Sequence, residues 1–568
     1  MPTFGEITRW ISENESLLSG LAAMIVLAGV VLSPVGMGIR RLFERRGARR
    51  ESSAGEPPTE VRPASTGEPH ADAASEPLLA VLAFDNLSTD SEMQFFSDGV
   101  SDEIIGRLSR GSAIKVIGRT SSFQFRGERK AEAARTLGCS HVLDGSIRRA
   151  SGRVRLSAHL LEVASNTTLW SERYDRELED IFALQDEISE SIAGALDQRF
   201  SSFSAGAIDA GTYDMYLRST PASYAPDELR QSIGMLEVVT RSAPDFSEGW
   251  GRLANLRAWL SFYQPFAERA ASARRVREEA DRALALDPQS SAALTGRLFI
   301  VPPFGHFIEG DAALERLRSA PGTAESHGYI GWYLRTTGRI RESLGETEHC
   351  YRLDSANPMA ANQLALGRLA AGRLSEAAPI YEDLVERAPA MSFPVASLLR
   401  VYAFQGDWPA VDRLLDLAEK RQLREFQDGL PFIRAKRDPT PENIDAWQSA
   451  LEAHVETTGC IDVSRLVYAA HLGLVDEAYG LAESACLGPV GSESDVMGPD
   501  GYRTSLLFQA DMPELRSDPR FVNLCARLGL VEFWLATEKW PDCATEVPYD
   551  FEAACAQARS VPKEEFGF

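Results

Sequence analysis

Three carboxylates near the start of a predicted helix have the residue types and spacing best suited to cation chemistry. Asp98 lies about one helical turn before the adjacent pair Asp102 and Glu103, and the three could together supply oxygen ligands to a cation. The alternative is a solvated helix face, which needs no ligand. His141 and His159 could face each other across a predicted hairpin as a metal pair, but two histidines leave a site short of ligands. We therefore predict no metal site.

The other aromatic and reactive side chains have structural explanations. Trp170 and Tyr174 lie on one face of a predicted strand, where we expect them to pack in a core rather than hold a cofactor. Cys543 and Cys555 are near in sequence and could bridge in an oxidising compartment; free buried thiols are the alternative. The sequence has no phosphate-binding loop, zinc-protease helix or nucleophile elbow. We predict no catalytic residue, no cofactor and no enzyme activity.

The composition of the chain excludes several classes of function. It has 568 residues and a formal net charge of −23, and such an acidic surface repels the phosphate backbone of nucleic acids. Its seven cysteines do not make a disulfide framework in so long a chain, and none are spaced as Cys-x-x-Cys. At this length we expect more than one domain. Nucleic acid is not expected among the partners.

The stretch at residues 78–196 has the pattern of a compact mixed domain. The apolar run at 78–84 predicts a buried strand, and apolar residues at four-residue steps over 96–108 predict a helix lying on its sheet. Alternating residues at 153–160 predict one strand of a hairpin with a solvated face. The order is strand, helix, strand, helix, an antiparallel meander and a closing helix. This order predicts an α+β domain with its own melting transition.

Six short motifs in this stretch resemble a known family in the same order. They are LAVLAFDNLS at 79–88, FSDGVSDEI at 96–104, GRTSSF at 118–123, HVLDGS at 141–146, LWSERYDR at 169–176 and ALQDEI at 183–188. Together they resemble the TolB-like amino-terminal domain of bacterial tetratricopeptide proteins. In that family the domain often lies beside a cyclase, kinase or winged-helix output domain. The resemblance implies a sensing or assembly role, with no catalytic residues to carry over.

Glycines recur at a fixed spacing in the helical part of the chain. Gly338, Gly372 and Gly406 are 34 residues apart, and Gly473 follows 67 residues later, close to two periods. A period of 34 is that of tetratricopeptide helix pairs, in which a small residue lies at the turn between the helices. The alternative is an irregular helical bundle with chance spacing. We predict tetratricopeptide-like repeats at 212–485 with these glycines at the turns, and Gly372 as the most sensitive of them to substitution.

An apolar run near the amino terminus has the length of a membrane span. Residues 17–39 contain no charged residue, and the run exceeds the roughly 20 apolar residues that cross a bilayer. Six arginines between Arg40 and Arg50 favour a soluble part on the cytoplasmic side of an inner membrane, and a periplasmic soluble part is the alternative. Residues 1–16 are a short leading segment, and residues 40–77 have the composition of a basic and then disordered linker.

Together these patterns predict an α+β domain at 78–200 followed by an all-α tetratricopeptide-type solenoid at 212–485, with one N-terminal transmembrane helix. Residues 486–568 are expected to cap the last repeat. The predicted function is a non-enzymatic, membrane-anchored scaffold that binds protein partners through the solenoid and the membrane through residues 17–39. One alternative is an orphan signalling subunit acting with a separate cyclase, kinase or transcription regulator. The other is an unrecognised enzyme.

Overall fold

The structure, a computed structural model, describes residues 77–88, 94–111, 114–150, 152–196, 208–221, 224–264, 266–302, 304–389, 391, 393–423, 429–458, 460–484, 486–487 and 504–558. All of them belong to one compact unit, Ser75–Phe568. The predictions for residues 1–16, 17–39 and all but the last residue of 40–77 fall outside the described residues. Three parts are distinguished below: the sheet region (77–196), the repeat region (208–487) and the C-terminal segment (504–558).

Six strands of the sheet region form a single mixed sheet. They are β1 (Leu78–Val81), β2 (Asp85–Asn86), β3 (Lys115–Val116), β4 (His141–Ala150), β5 (Arg153–Glu162) and β6 (Thr167–Glu177). The strand order is β3-β1-β4-β5-β6, with β2 beside β4. β1 runs parallel to β3 and β4, and β4, β5 and β6 form an antiparallel meander. The helices of this region are α1 (Gln94–Gly111), α2 (Arg119–Ser122), α3 (Lys130–Leu137) and α4 (Ile181–Ala195).

Helices cover both faces of the sheet at β1, whereas one face of β5 is solvated. Successive residues of a strand point to opposite faces, so Leu79 and Val81 pack in the cluster that includes α1 and α4. Ala80 and Leu82 point the other way, into a smaller cluster with Ala133 of α3. Burial on both faces explains why the sequence of β1 is a continuous run of apolar residues.

The repeat region consists of helices joined mostly by short turns. They are α5 (Ala210–Arg218), α6 (Pro226–Ser242), α7 (Ser247–Phe262), α8 (Phe266–Leu286), α9 (Ser291–Phe299), α10 (Phe307–Ser319), α11 (Ala324–Thr336), α12 (Ile340–Leu353), α13 (Pro358–Ala370), α14 (Leu374–Arg387), α15 (Phe393–Gln405), α16 (Trp408–Lys420), α17 (Leu430–Arg437), α18 (Pro441–Thr458), α19 (Val463–His471) and α20 (Val475–Ser484). Two short strands, β7 (Cys460–Ile461) and β8 (Cys486–Leu487), pair in parallel.

These helices form pairs with a regular period in the middle of the region. The first helices α11, α13 and α15 begin at residues 324, 358 and 393, so they recur every 34 or 35 residues. α11 and α13 are buried on most of their surface, whereas the second helix α14 is amphipathic and buries one side. The first helices therefore lie inside, and the second helices form the outer layer, as in tetratricopeptide-like repeats.

The C-terminal segment folds into short helices. Two are 3-10 helices, Thr504–Phe508 and Asp542–Thr545, and four are α-helices: α21 (Pro513–Ser517), α22 (Arg520–Arg527), α23 (Leu530–Thr537) and α24 (Phe551–Gln557). Its buried side chains share a core with the later repeats, because Phe521 and Trp534 lie in the same cluster as Leu369 and Leu398.

The sheet region also shares its core with the repeats that follow it. The cluster containing Leu79 and Leu156 of the sheet continues through Leu253 of α7 to Tyr333 of α11. Because an interface between independent domains is usually smaller and more polar, this continuity makes one cooperative unit the expectation for the described residues.

The predicted fold class requires a correction. The chain is mostly helical, with a small sheet region and a helical repeat region. No helix of the described ranges has both the length and the apolar character that crossing a bilayer requires. The longest, α8, has 21 residues, but charged side chains such as Arg274, Arg275 and Glu279 interrupt it. The predicted fold class, which included a transmembrane helix, is therefore corrected to a mostly helical chain with a small sheet region and a helical repeat region. The predicted helix at 17–39 itself lies outside the described residues.

Candidate functional site

Two of the three carboxylates considered for a cation site are neutralised by arginines. Asp98 accepts hydrogen bonds from both terminal nitrogens of Arg126, at 2.8 and 2.7 Å. Glu103 is buried and forms a 3.2 Å ion pair with Arg252 of α7. Arginine only donates, so these pairs use the oxygens that a cation would need. Among the described residues, no group of three His, Cys, Asp or Glu side chains is arranged to hold a metal ion.

The two histidines of the hairpin do not form a pair. In the β4–β5 ladder, His141 lies opposite Glu162, and His159 lies opposite Asp144. Positions 141 and 144 are three residues apart, and side chains alternate along a strand, so the two imidazoles lie on opposite faces of the sheet. Burial lowers the pKa of His141, against an opposing effect of Glu162.

The two aromatic side chains and the two cysteines lie in or beside the protein core. Tyr174 is buried in the main core of the sheet region, and Trp170 packs at its edge. Cys543 and Cys555 are buried, free thiols within the C-terminal segment. Burial raises the pKa of each thiol to about 12, so both are poor nucleophiles near neutral pH.

The four repeat glycines lie at turns between paired helices. Gly338, Gly372, Gly406 and Gly473 have φ values of +83°, +74°, +72° and +81°. The residue after each glycine donates its backbone N–H to a carbonyl five residues earlier, as Arg339 does at 3.0 Å. This is the 6→1 hydrogen bond of a Schellman motif, in which the left-handed position strongly favours glycine.

Two of these turns also contact the C-terminal segment. The backbone N–H of Asp542 donates to the carbonyl of Gly338 at 3.0 Å. A Cβ atom on Gly338 would lie 2.6 Å from Cβ of Pro541, and one on Gly372 would lie 2.9 Å from Cβ of Ala510. Close approach of side chains from the C-terminal segment is therefore an additional reason for glycine at these two positions.

The C-terminal segment lies against the first helices of several pairs and also contacts α20, the second helix of the last pair. Its 3-10 helix Thr504–Phe508 contacts α11, α13 and α19. The indole Nε1 of Trp534, which is fully buried, donates to the carbonyl of Thr337 at 3.2 Å. The backbone N–H of Gly305 donates to the carbonyl of Leu528 at 2.9 Å. The C-terminal segment therefore covers the inner surface that these first helices form.

A loop of the sheet region is joined to the turn between α12 and α13. The backbone N–H of Gly118 donates to the carbonyl of Leu353 at 2.7 Å. The backbone N–H and the hydroxyl of Ser121 both donate to Oδ1 of Asp354, each at 2.7 Å. Burial raises the pKa of Asp354, and the hydrogen bonds from Ser121 oppose that rise. Gly118 and Ser121 belong to the GRTSSF motif, so this motif holds the sheet region to the repeats.

A second joint connects α1 to α7. Besides its ion pair with Glu103, Arg252 donates to Oγ1 of Thr220 at 3.2 Å and to the carbonyl of Tyr216 at 3.3 Å. Arg110, near the end of α1, lies 3.5 Å from Glu248 of α7. The two joints engage different elements of the sheet region, α2 in the first and α1 in the second, and together they hold it to the repeats.

Next to the second joint, a cleft of about 540 Å³ opens between α1, the start of α2 and the pair α5–α6. Its volume is within the range of small-molecule sites. Its charged side chains are Asp98, Asp102, Arg119 and Arg218; Phe95, Leu217 and Met235 provide apolar surface, and Gly99, Thr220 and Gln231 complete the lining. The sequence singled out the two aspartates because they share a helix. It gave no reason to associate them with arginines from two other elements.

Comparison with known proteins identifies partial likenesses. No family model matches the chain. A protein of Rhizobium meliloti (strain 1021) named "Putative adenylate cyclase 3" is 40% identical over 168 residues, which are 28% of this chain and 29% of that protein. The chain therefore spans less than a third of the length of this curated relative.

Among solved structures, the protein YrrB, described as a TPR protein with an unusual peptide-binding site, matches 39% of this chain and 97% of its own. The sequence identity is 16% and the TM-score is 0.22. So low a TM-score carries no argument for this chain, and the repeat assignment rests on the period and turns described above.

Proposed function

We propose that this protein is a non-enzymatic interaction scaffold, in which a TolB-like domain and tetratricopeptide-like repeats form one rigid frame for protein partners. The observation that carries the proposal is the joint between Ser121 and Asp354, which ties the sheet region to the turn between α12 and α13. A frame that does not flex loses little conformational entropy when a partner binds.

The partner surface of this scaffold lies outside the face covered by the C-terminal segment. Large apolar side chains are exposed on the repeats and on that segment, at Val238, Tyr263, Ile308 and Leu535. Aromatic residues of this size are common at the energetic centres of protein interfaces, so Tyr263 is the preferred contact. It follows Trp259 on α7 by one helical turn, and Trp259 packs against Phe299 of α9 with ring centroids 5.5 Å apart.

Substitution of the exposed residues tests the scaffold proposal. The full chain is immobilised, captured proteins are identified by mass, and the dissociation constant of each is measured with purified partner. Tyr263→Arg should weaken binding by at least about tenfold, and Val238→Arg serves as a matched surface control. If Tyr263→Arg, Ile308→Arg and Leu535→Arg each leave the affinity unchanged, these positions are not the binding surface and the proposal fails.

A second candidate function is a regulatory subunit of a signalling assembly. It is supported by the 168-residue likeness to a protein named as an adenylate cyclase. Nucleotide cyclase activity in the captured material, lost with Tyr263→Arg, would select this candidate. Capture of partners without such activity would leave the scaffold function and remove the signalling role.

A further inference from the structure

The cleft between α1 and α5–α6 has a charge balance that differs from that of the whole chain. Asp98 is fully engaged, because it accepts from Arg126 and also from Nε2 of Gln94 at 2.8 Å. The remaining charges of the lining are Asp102, Arg119 and Arg218. The cleft is therefore locally positive on a chain with a net charge of −23.

The two arginines of the cleft are presented differently from those in the buried joints. Arg119 Nε is 3.9 Å from Oδ2 of Asp102, beyond hydrogen-bond distance, and about a third of the Arg119 side chain is exposed. The guanidinium of Arg218 stacks on the ring of Phe95, with its central carbon 3.8 Å from the ring centroid. Stacking fixes the plane of a guanidinium and leaves its edge N–H groups available to an anion.

Apolar side chains lie beside these two charges. Leu217 is buried, and it fits against α1 because position 99 is glycine: a Cβ there would come within 2.8 Å of the leucine methyl groups. Met235 is half-buried on α6 and lines the same cleft. The site thus combines donors for an anion with surface for an apolar body, which is the usual composition of a small-ligand site.

We propose that this cleft binds a small organic anion, in which a carboxylate or phosphate group contacts Arg119 and Arg218 and an apolar body packs on Leu217 and Met235. Such a ligand contacts both the sheet region and the first helix pair of the repeats. Its binding is independent of the partner surface of the scaffold, because Tyr263 does not line the cleft.

The test uses the full chain and simple probes in isothermal titration calorimetry. Phenyl phosphate and benzoate represent the two anion sources, inorganic phosphate lacks the apolar body, and benzyl alcohol lacks the charge. The proposal expects saturable binding of phenyl phosphate, benzoate or both, at least about tenfold tighter than inorganic phosphate, and no binding of benzyl alcohol. Whichever aromatic anion binds more tightly identifies the anion class.

Variants locate the site. Arg119→Gln and Arg218→Gln should each weaken binding by about tenfold or more, since a charge-assisted contact is lost. Arg230→Gln is the matched control, because Arg230 is on α6, is exposed and pairs with Asp227 outside the cleft. Absence of saturable binding by both aromatic anions overturns the proposal. So does binding that Arg119→Gln and Arg218→Gln leave unchanged, or that Arg230→Gln weakens equally.

Discussion

Ser121 donates two hydrogen bonds to one oxygen of Asp354, although 233 residues separate them in the chain. The backbone of Ala356 in turn donates to the hydroxyl of Ser121 at 3.0 Å. Asp354 has almost no exposed surface, so its carboxylate depends on these partners and on Nδ2 of Asn357 at 3.1 Å. The sheet region and the repeats are held together here by a small, closed polar network.

Asp354→Ala should destabilise the protein by about 1–3 kcal/mol, because it leaves the buried N–H of Ser121 without an acceptor. The free energy of unfolding measured in urea checks this expectation. Asp412→Ala is the matched control, since Asp412 makes an exposed pair with Arg437 and its loss should change stability little. Equal effects of the two substitutions would show that the joint adds no stability.

Gly338→Ala should cost more stability than Gly406→Ala. Both glycines have positive φ, but a Cβ on Gly338 meets Pro541 and Phe508 within 3 Å, whereas Gly406 has nothing within 4 Å. The positive φ penalises both variants by about 1–3 kcal/mol, and the clash adds a further cost at Gly338 alone. Urea unfolding of the two variants measures the difference. Equal losses would contradict the docking of the C-terminal segment at this turn.

Trp534→Ala should cost about 3–5 kcal/mol, because Trp534 is fully buried and its loss leaves a large cavity. Trypsin should then cleave within the C-terminal segment sooner than in the unaltered protein. Leu535→Ala, at the neighbouring exposed position, is the control and should leave the digestion pattern unchanged. A Trp534→Ala protein as resistant as the control would mean that the segment does not depend on this anchor.

His471 should make stability depend on pH. Burial lowers its pKa to about 3, and the charges of Lys436 and Arg400 add to the effect. Asp511 lies 3.7 Å away, but burial raises the pKa of that carboxyl, so its negative charge does little to favour a charged imidazole. The unfolded chain takes up the proton at about pH 6.5, whereas the folded chain does so only near the lowered pKa. The free energy of unfolding should therefore fall as pH drops through this window.

The variant His471→Gln isolates this contribution. The stability advantage of the unaltered protein over the variant should shrink between about pH 7 and about pH 4.5, because only the histidine takes up a proton on unfolding. Urea unfolding at both pH values gives the two differences. A difference that is constant with pH would place the pKa of His471 near its ordinary value.

Local pattern predicted much of the sheet region and the repeat turns. The period-two alternation at 153–160 corresponds to β5, whose Val154, Leu156 and Leu160 face the core. Glycine spacing led to four turns with positive φ because the left-handed position is a requirement of the local backbone. The sequence favoured Gly372 as the position most sensitive to substitution, but an added Cβ would meet more and closer neighbours at Gly338. The nearest of them, Pro541, lies about 200 residues further along the chain, so the local pattern could not reveal it.

The joints and the cleft could not be predicted in the same way. The pairing of Glu103 with Arg252, or of Ser121 with Asp354, depends on how whole elements pack, and hydrophobic periodicity carries no information about it. The membrane-anchored fold was predicted from an apolar run alone, and no helix of the described residues supports it. The C-terminal segment was expected at the last repeat because solenoids need caps; it does contact α20 of the last pair, but it also packs along the first helices of earlier pairs.

The most direct test of a single rigid frame is hydrogen exchange in increasing urea, followed peptide by peptide with mass spectrometry. Peptides from β4 and β5 report on the sheet region, and peptides from α7 and α11 report on the repeats that share its core. We predict that both sets lose protection at the same urea concentration, and that Asp354→Ala lowers both midpoints together. Two well-separated midpoints, with the sheet peptides protected after the repeats have unfolded, would contradict the account.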